Sequence, residues 1–184
     1  VTKERATPAC HPCCTSMCMA YPSWANTDQL RDYYDNEWGR PVRTEQGLYE
    51  RICLEAFQVG LSWALILARR SALQDAFDGF DPDVVARYTN ADVERILAAP
   101  GVIKNKQKIR ACITNARATI DLREGEGLPD LIWRYQPLHS PCESAPEAAE
   151  LAQALKKHGF TFVGPTTCFA LMEACGLVDN RIHD

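Results

Sequence analysis

The chain has 184 residues, 46% of them hydrophobic, enough for one domain with a buried core and a possible appendage. Twenty basic against twenty-four acidic residues leave a net charge of −4, so any nucleic-acid partner has to be met by local patches rather than by an overall positive field. No run of about 18 apolar residues exists and VTKERATPACHPCC contains no apolar stretch, which excludes a readable membrane span or secretory signal and makes a soluble, cytoplasmic protein the expectation.

Residues 1–20 are polar, punctuated by Pro8 and Pro12, and hold Cys10, Cys13, Cys14 and Cys18. They read as a disordered, Cys-rich tail ahead of a domain at 21–184. CHPCC followed by Cys18, with His11 and His183, supplies soft ligands at short spacing and makes a zinc site conceivable there, against the plainer reading of a thiol-rich tail. The next segment, YPSWANTDQLRDYYDNEWG, reads as loop-like and carries Trp24, Tyr33, Tyr34 and Trp38. Aromatics at that density suit stacking on a base, a positively charged one above all, and equally suit core packing.

A helix is expected over 45–68. Inside it, CLEAFQVGLSW sets Glu55, Gln58 and Ser62 at i, i+3 and i+7, one polar stripe beside the apolar stripe of Leu54, Leu61 and Leu65. The stripe is short for a solvated face, poor in Lys and Arg, and runs into Gly60 and Trp63. Further helices are expected at 71–77, at 81–88 with Pro82 in its first turn, and at 90–98 with Asn90 as N-cap. The series continues at 106–123, 128–135, 145–158 and 166–176, where Gly176 is the stop. Strand alternation is almost absent and 136–144 is the one long irregular connection, so the fold class is all-α. Cys53, Cys112, Cys168 and Cys175 fall in apolar helical patterns and are expected as buried thiols, whereas Cys142 looks loop-borne.

Between two of these helices lies LAAPGVIKNKQKI, residues 97–109. A tight turn at Pro100 and Gly101, at the start of the following helix, can present backbone amides to a phosphate, with Lys104, Lys106, Lys108 and Arg110 alongside. This is the helix–hairpin–helix arrangement that grips a DNA backbone without reading sequence. An ordinary αα-turn with solvated lysines is the alternative, and Ile103 stands where such hairpins have a second glycine.

Four blocks, DNEWG (35–39), ICLEAFQVGLSW (52–63), GVIKNKQKI (101–109) and KKHGFTFVGPTTCFALMEACGLV (156–178), occur in this order and together resemble the 3-methyladenine DNA glycosylase I family over 21–178. The resemblance implies a helix–hairpin–helix DNA-repair fold and excision of 3-methyladenine from alkylated double-stranded DNA by a monomer that needs no cofactor. It implies that Glu55 is the acid that recognises the flipped base and that Trp63 stacks on it. Tyr33, Trp38 and Trp24 match further pocket residues, and Gly60 and Leu61 match the wedge that fills the gap in the duplex. Gly101, Ile103, Lys104 and Lys106 match the backbone-gripping hairpin. The chemistry agrees, because N3-methylation makes the purine cationic and weakens its bond to the sugar, so simple hydrolysis without strand cleavage suffices.

The family's usual zinc, held by two Cys and two His, is not expected. Its positions hold Pro22, Tyr34 and Arg181, and the fourth falls past Asp184. Two other classes remain open at this point: a non-catalytic damage binder that keeps hairpin and wedge, and a thiol- or metal-sensing regulator built on the first 18 residues.

Overall fold

The computed structural model describes residues 21–140 and 143–182, and within them every regular element is a helix. The N-terminal cysteines, His11, Cys142 and His183 lie outside the described residues. Ten elements follow one another: α1 (Asp28–Asn36), α2 (Glu45–Gln58), α3 (Trp63–Ala76), a 3-10 turn (Asp78–Phe80), α4 (Pro82–Val85), α5 (Asn90–Ala98), α6 (Lys106–Leu122), α7 (Gly127–Trp133), α8 (Pro146–Lys157) and α9 (Pro165–Ala174).

Local chemistry sets most of the boundaries. Thr27, Thr44, Ser62, Asp81 and Asn105 each cap the helix that follows, their side-chain oxygens accepting from its first free amides. Helices α8 and α9 begin with proline, whose missing N–H is no loss in a first turn. Gly176 ends α9 with φ +75°, and a Cβ there would lie 2.9 Å from Gly39 O and Pro41 N, so the position needs glycine twice over. That close approach seats the end of α9 on the chain leaving α1, where Gly39 N donates to Ala174 O and Val42 N to Cys175 O.

Helix α2 is the axis of the molecule. It packs against α3, α6, α7 and α9, and from Leu48 to Phe57 every residue but the half-buried Glu50 is buried. A helix covered on all sides has no solvated face to offer. Glu55 therefore points into protein rather than to solvent, while Gln58 is half-buried and Ser62 exposed. Cys53, Cys112, Cys168 and Cys175 are buried free thiols, as their apolar surroundings predict.

Several expected elements are corrected. The helix expected over 45–68 is two helices, because the chain turns at 59–62 with Gly60 at φ +79° and restarts on the Ser62 cap. The segment expected at 71–77 is the second half of α3 rather than a separate helix. The aromatic segment read as loop-like contains α1, whose buried face carries Leu30, Tyr33 and Tyr34. At 81–88 only the single turn Pro82–Val85 is α-helical. The cap of α5 is Thr89, not Asn90: Thr89 forms a capping box with Asp92, donating its N–H to Asp92 Oδ2 at 2.8 Å.

Candidate active site

A cavity of about 510 Å³ opens between α1, the C-terminal half of α2, the start of α3, and α9. Trp24, Tyr33, Trp38, Glu55 and Trp63, the five residues that the resemblance assigned as acid and base-binding aromatics, all line it, together with Asn26, Gln58, Ser62 and Glu173, whereas Tyr34 of the same aromatic segment packs in a neighbouring core cluster. Glu55 and Gln58 project from one helical face. Ser62 joins them by a different route than the expected stripe, since it lies beyond the turn and caps α3.

The rings form a continuous wall. Trp38 and Trp24 meet edge to face at 5.4 Å, Trp24 and Tyr33 at 6.4 Å, and Tyr33 and Trp63 at 5.5 Å. Such faces are electron-rich and favour a planar or cationic guest. Two polar atoms in this wall, Tyr33 Oη and Trp63 Nε1, are buried without any hydrogen-bond partner. Buried donors are nearly always paired, so two orphans in the rings behind this wall are unusual for groups that serve the fold alone.

Glu55 is only 4% exposed. Burial pushes its carboxyl up to about 8, the nearby Glu173 pushes the same way, and Arg51 opposes them. Arg51 opposes weakly for a visible reason. Its guanidinium is bonded to Glu37 and approaches Glu50 at 3.4 Å, and Arg70 bonds the same two acids at 2.7 and 2.9 Å. Two cations and two anions make a closed neutral network beneath the cavity. Among the described residues Glu55 has no counter-ion of its own, and no Lys, Arg or His lines the cavity.

At the rim, the 59–62 turn is closed by Leu61 N donating to Gln58 O at 2.7 Å. Val59 (49% exposed) and Leu61 (37%) project from it, and nothing lies within 4 Å of where a Gly60 side chain would start. This is an apolar point beside the cavity mouth. The hairpin at 99–105 stands on the same edge. Gly101, at φ +78°, packs so that a Cβ would meet Ala72 of α3 at 3.0 Å, and Lys108 Nζ donates to Phe57 O and Val59 O at 2.6 and 2.5 Å.

Lys108, expected beside a phosphate, is thus instead a buried cap on the end of α2 that ties the hairpin helix to the rim turn. Of the other hairpin residues, Lys104 and Lys106 are exposed, Lys106 paired with Glu94. Ile103 is half-buried against the core, and its carbonyl accepts from Asn105 N at 2.9 Å. Asn105 Oδ1 accepts from the amides of Gln107 and Lys108, each at 3.1 Å, and caps the helix there.

Glu173 escaped the sequence reading. The signal was present, since Glu173 is the one charge in the apolar helix PTTCFALMEA, the same kind of anomaly that exposed Glu55.

The positions that the resemblance assigned to zinc do not suit a metal. Tyr34 Oη accepts from Ile182 N at 2.7 Å, Arg181 lies over the Tyr34 ring at 5.4 Å, and its Nη1 donates to Trp38 O. A cation and an engaged phenol offer no ligand set, and the described residues contain no group of three or more His, Cys, Asp or Glu that could hold an ion. Tyr34 and Trp38 are tied to residues 181–182 by these hydrogen bonds and the cation–π pair. No helix among the described residues is long and apolar enough to cross a membrane.

Against known proteins, residues 24–184 match the model of the methyladenine glycosylase family. The chain is 40% identical over 171 residues to DNA-3-methyladenine glycosylase 1 of Escherichia coli, covering 86% of this chain and 91% of that one. It is 39% identical over 165 residues to the DNA-3-methyladenine glycosylase of Haemophilus influenzae, covering 83% and 89%. Among solved structures, 3-methyladenine DNA glycosylase I from Staphylococcus aureus superposes with a TM-score of 0.81 at 28% identity, covering 86% of this chain and 90% of that one.

Proposed function

The chain belongs to the methyladenine glycosylase family, and on that premise we propose that the Glu55 cavity is where this base-excision repair enzyme receives a flipped 3-methyladenine. One observation carries the assignment of the site: among the described residues, an acid with no cation beside it and a wall of electron-rich rings line the same cavity. Together they complement a planar cation that bears hydrogen-bonding edges.

The hairpin, through its turn amides with Lys104 and Lys106, holds the phosphates of double-stranded DNA and fixes the register of the protein on it. Leu61 on the Gly60 turn enters the stack and fills the gap left by the extruded nucleotide. In the cavity the methylated purine stacks on Trp63 and lies against Tyr33, Trp24 and Trp38. Its positive charge makes the ionised form of Glu55 favourable, so the carboxyl releases its proton to the water that the entering base displaces from the open cavity.

The bond from C1′ to the purine nitrogen then breaks with its electron pair going to the base, which leaves as neutral 3-methyladenine. Water adds to the oxocarbenium-like sugar and loses a proton. The electron pair needs little help to leave, because the ring is already cationic. The reaction is simple hydrolysis that leaves the strand intact. A monomer does this with no metal or nucleotide cofactor.

The test is incubation of the full chain with methylated duplex DNA in the presence of a chelator, with every released base identified. Free 3-methyladenine from unbroken strands is expected. If a folded, DNA-binding protein released no base, the site would be that of a damage binder and not of an enzyme.

A further inference from the structure

Glu55 is one of two acids in the cavity. Glu173 reaches it from α9, which packs directly on α2. Its Oε1 accepts from Asn180 Nδ2 at 2.7 Å, so the carboxyl is held in a fixed orientation by the chain that follows α9. Two half-buried or buried acids therefore share a small space that no lining cation neutralises.

We propose that Glu173 is a specificity-determining residue of the base site: with Glu55 it forms a carboxyl pair that shares a proton until a cationic purine enters, and that sorts cationic from neutral purines more sharply than one acid can. This inference rests on the cavity being the base site.

The surroundings of the pair support it. Tyr33 from α1, Cys168 from α9 and Cys175 just after it are the neutral titratable groups that sense Glu55. Burial pushes both thiols up to about 12 and the phenol higher still, so all three stay neutral around pH 7. Arg51, on the same helix as Glu55, is engaged by Glu37 and Glu50. Proton exchange near neutrality is thus left to the two acids. Burial raises both, while the hydrogen bond from Asn180 favours the ionised form of Glu173. The Asn180 bond gives Glu173 a partner for its charge that Glu55 lacks, and the midpoints of two such neighbouring acids belong to the pair. A cation between them replaces that proton; a neutral purine does not.

Glu173→Gln keeps an oxygen for Asn180 and removes one charge. The assay is single-turnover excision from a duplex carrying 3-methyladenine, followed across pH, beside binding of a duplex carrying its uncharged 3-deaza isostere. The variant should lose about tenfold in rate on the alkaline plateau, the worth of roughly one pKa unit of charge interaction. Its pH midpoint should fall, because Glu55 no longer ionises against a neighbouring anion, and binding of the neutral isostere should hold within about twofold.

A residue that only braces α9 would lower the melting temperature, leave the midpoint unmoved and cost both ligands alike, and that pattern overturns the proposal. Should the variant not fold, carbon-13 NMR titration of the wild-type carboxyls decides. Two linked steps are expected for Glu55 and Glu173, and two independent single-step curves refute the pair. A wild type that releases no base refutes the base site itself, whereas one that releases base with an unmoved midpoint in the variant refutes only this inference.

Discussion

Replacing Glu55 with Gln should make the protein more stable in mildly alkaline solution and change little in mildly acidic solution. The native carboxyl titrates at about 8 and an ordinary one at 4.5, so between these values the folded protein holds a proton that the unfolded chain has released. Unfolded chains then bind fewer protons than native ones, and stability falls as pH rises through the window, by up to ~1.4 kcal/mol per unit. The ceiling over the whole window is ~5 kcal/mol. Glu173, raised by burial, contributes in the same direction.

Asp83 and Asp92 act oppositely, since the hydrogen bonds from Arg123 and Thr89 hold their pKa values down; their contribution is complete above the ordinary carboxylate range and disappears only in acid below it. Gln is nearly isosteric with protonated Glu, so the variant and the wild type should match near about pH 5 and diverge by several kcal/mol near about pH 8.5. Urea denaturation of both proteins across that range measures it. A difference that stays constant with pH, or a wild type that gains stability between those values, would refute the buried and uncompensated state of Glu55.

The same cavity makes Tyr33→Phe informative. Removing a hydroxyl that has no partner should leave stability unchanged or raise it by up to ~1 kcal/mol while excision slows, and a clear loss of stability would show that the hydroxyl serves the fold. Lys108→Met should cost ~1–3 kcal/mol, because Phe57 O and Val59 O are deprived of their donor. It should also slow excision more than it weakens binding of undamaged duplex; equal effects would detach the rim turn from base flipping. Changing Lys104 and Lys106 to Ala should weaken damaged and undamaged duplex alike and reduce the salt slope by about one for each phosphate no longer neutralised, with Lys106 contributing less because Glu94 already pairs it. A weakening confined to damaged DNA would place these lysines in the base site.

The sequence revealed the members of the site better than the shapes that hold them. Glu55 stood out as a charge in an apolar helix and Trp24, Tyr33 and Trp38 as rings in a polar segment, the family resemblance added Trp63, and all five converge on one cavity. The turn at 59–62 did not stand out, because Leu61, Trp63 and Leu65 continue a helical apolar rhythm across it. Gly60 and the capping ability of Ser62 were its only marks. α1 hid for the converse reason, since DQLRDYYDN is too polar for its pattern to register even though Leu30, Tyr33 and Tyr34 make a buried face. Lys108 was misread because composition cannot tell a phosphate-facing lysine from one that caps another helix across the core. The all-α class and the buried thiols followed from periodicity alone.

The central claim is that 3-methyladenine occupies the Glu55 cavity, and the four tryptophans can report on it. Trp24, Trp38 and Trp63 line the cavity, while the indole N–H of Trp133 donates to Val42 O at 2.8 Å and serves as an internal control. Titrating nitrogen-15-labelled protein with 3-methyladenine should move the Trp63 indole signal saturably, with smaller shifts at Trp24 and Trp38, and leave Trp133 in place. Saturable binding that leaves the Trp63 signal unmoved would put the base somewhere else and contradict the account.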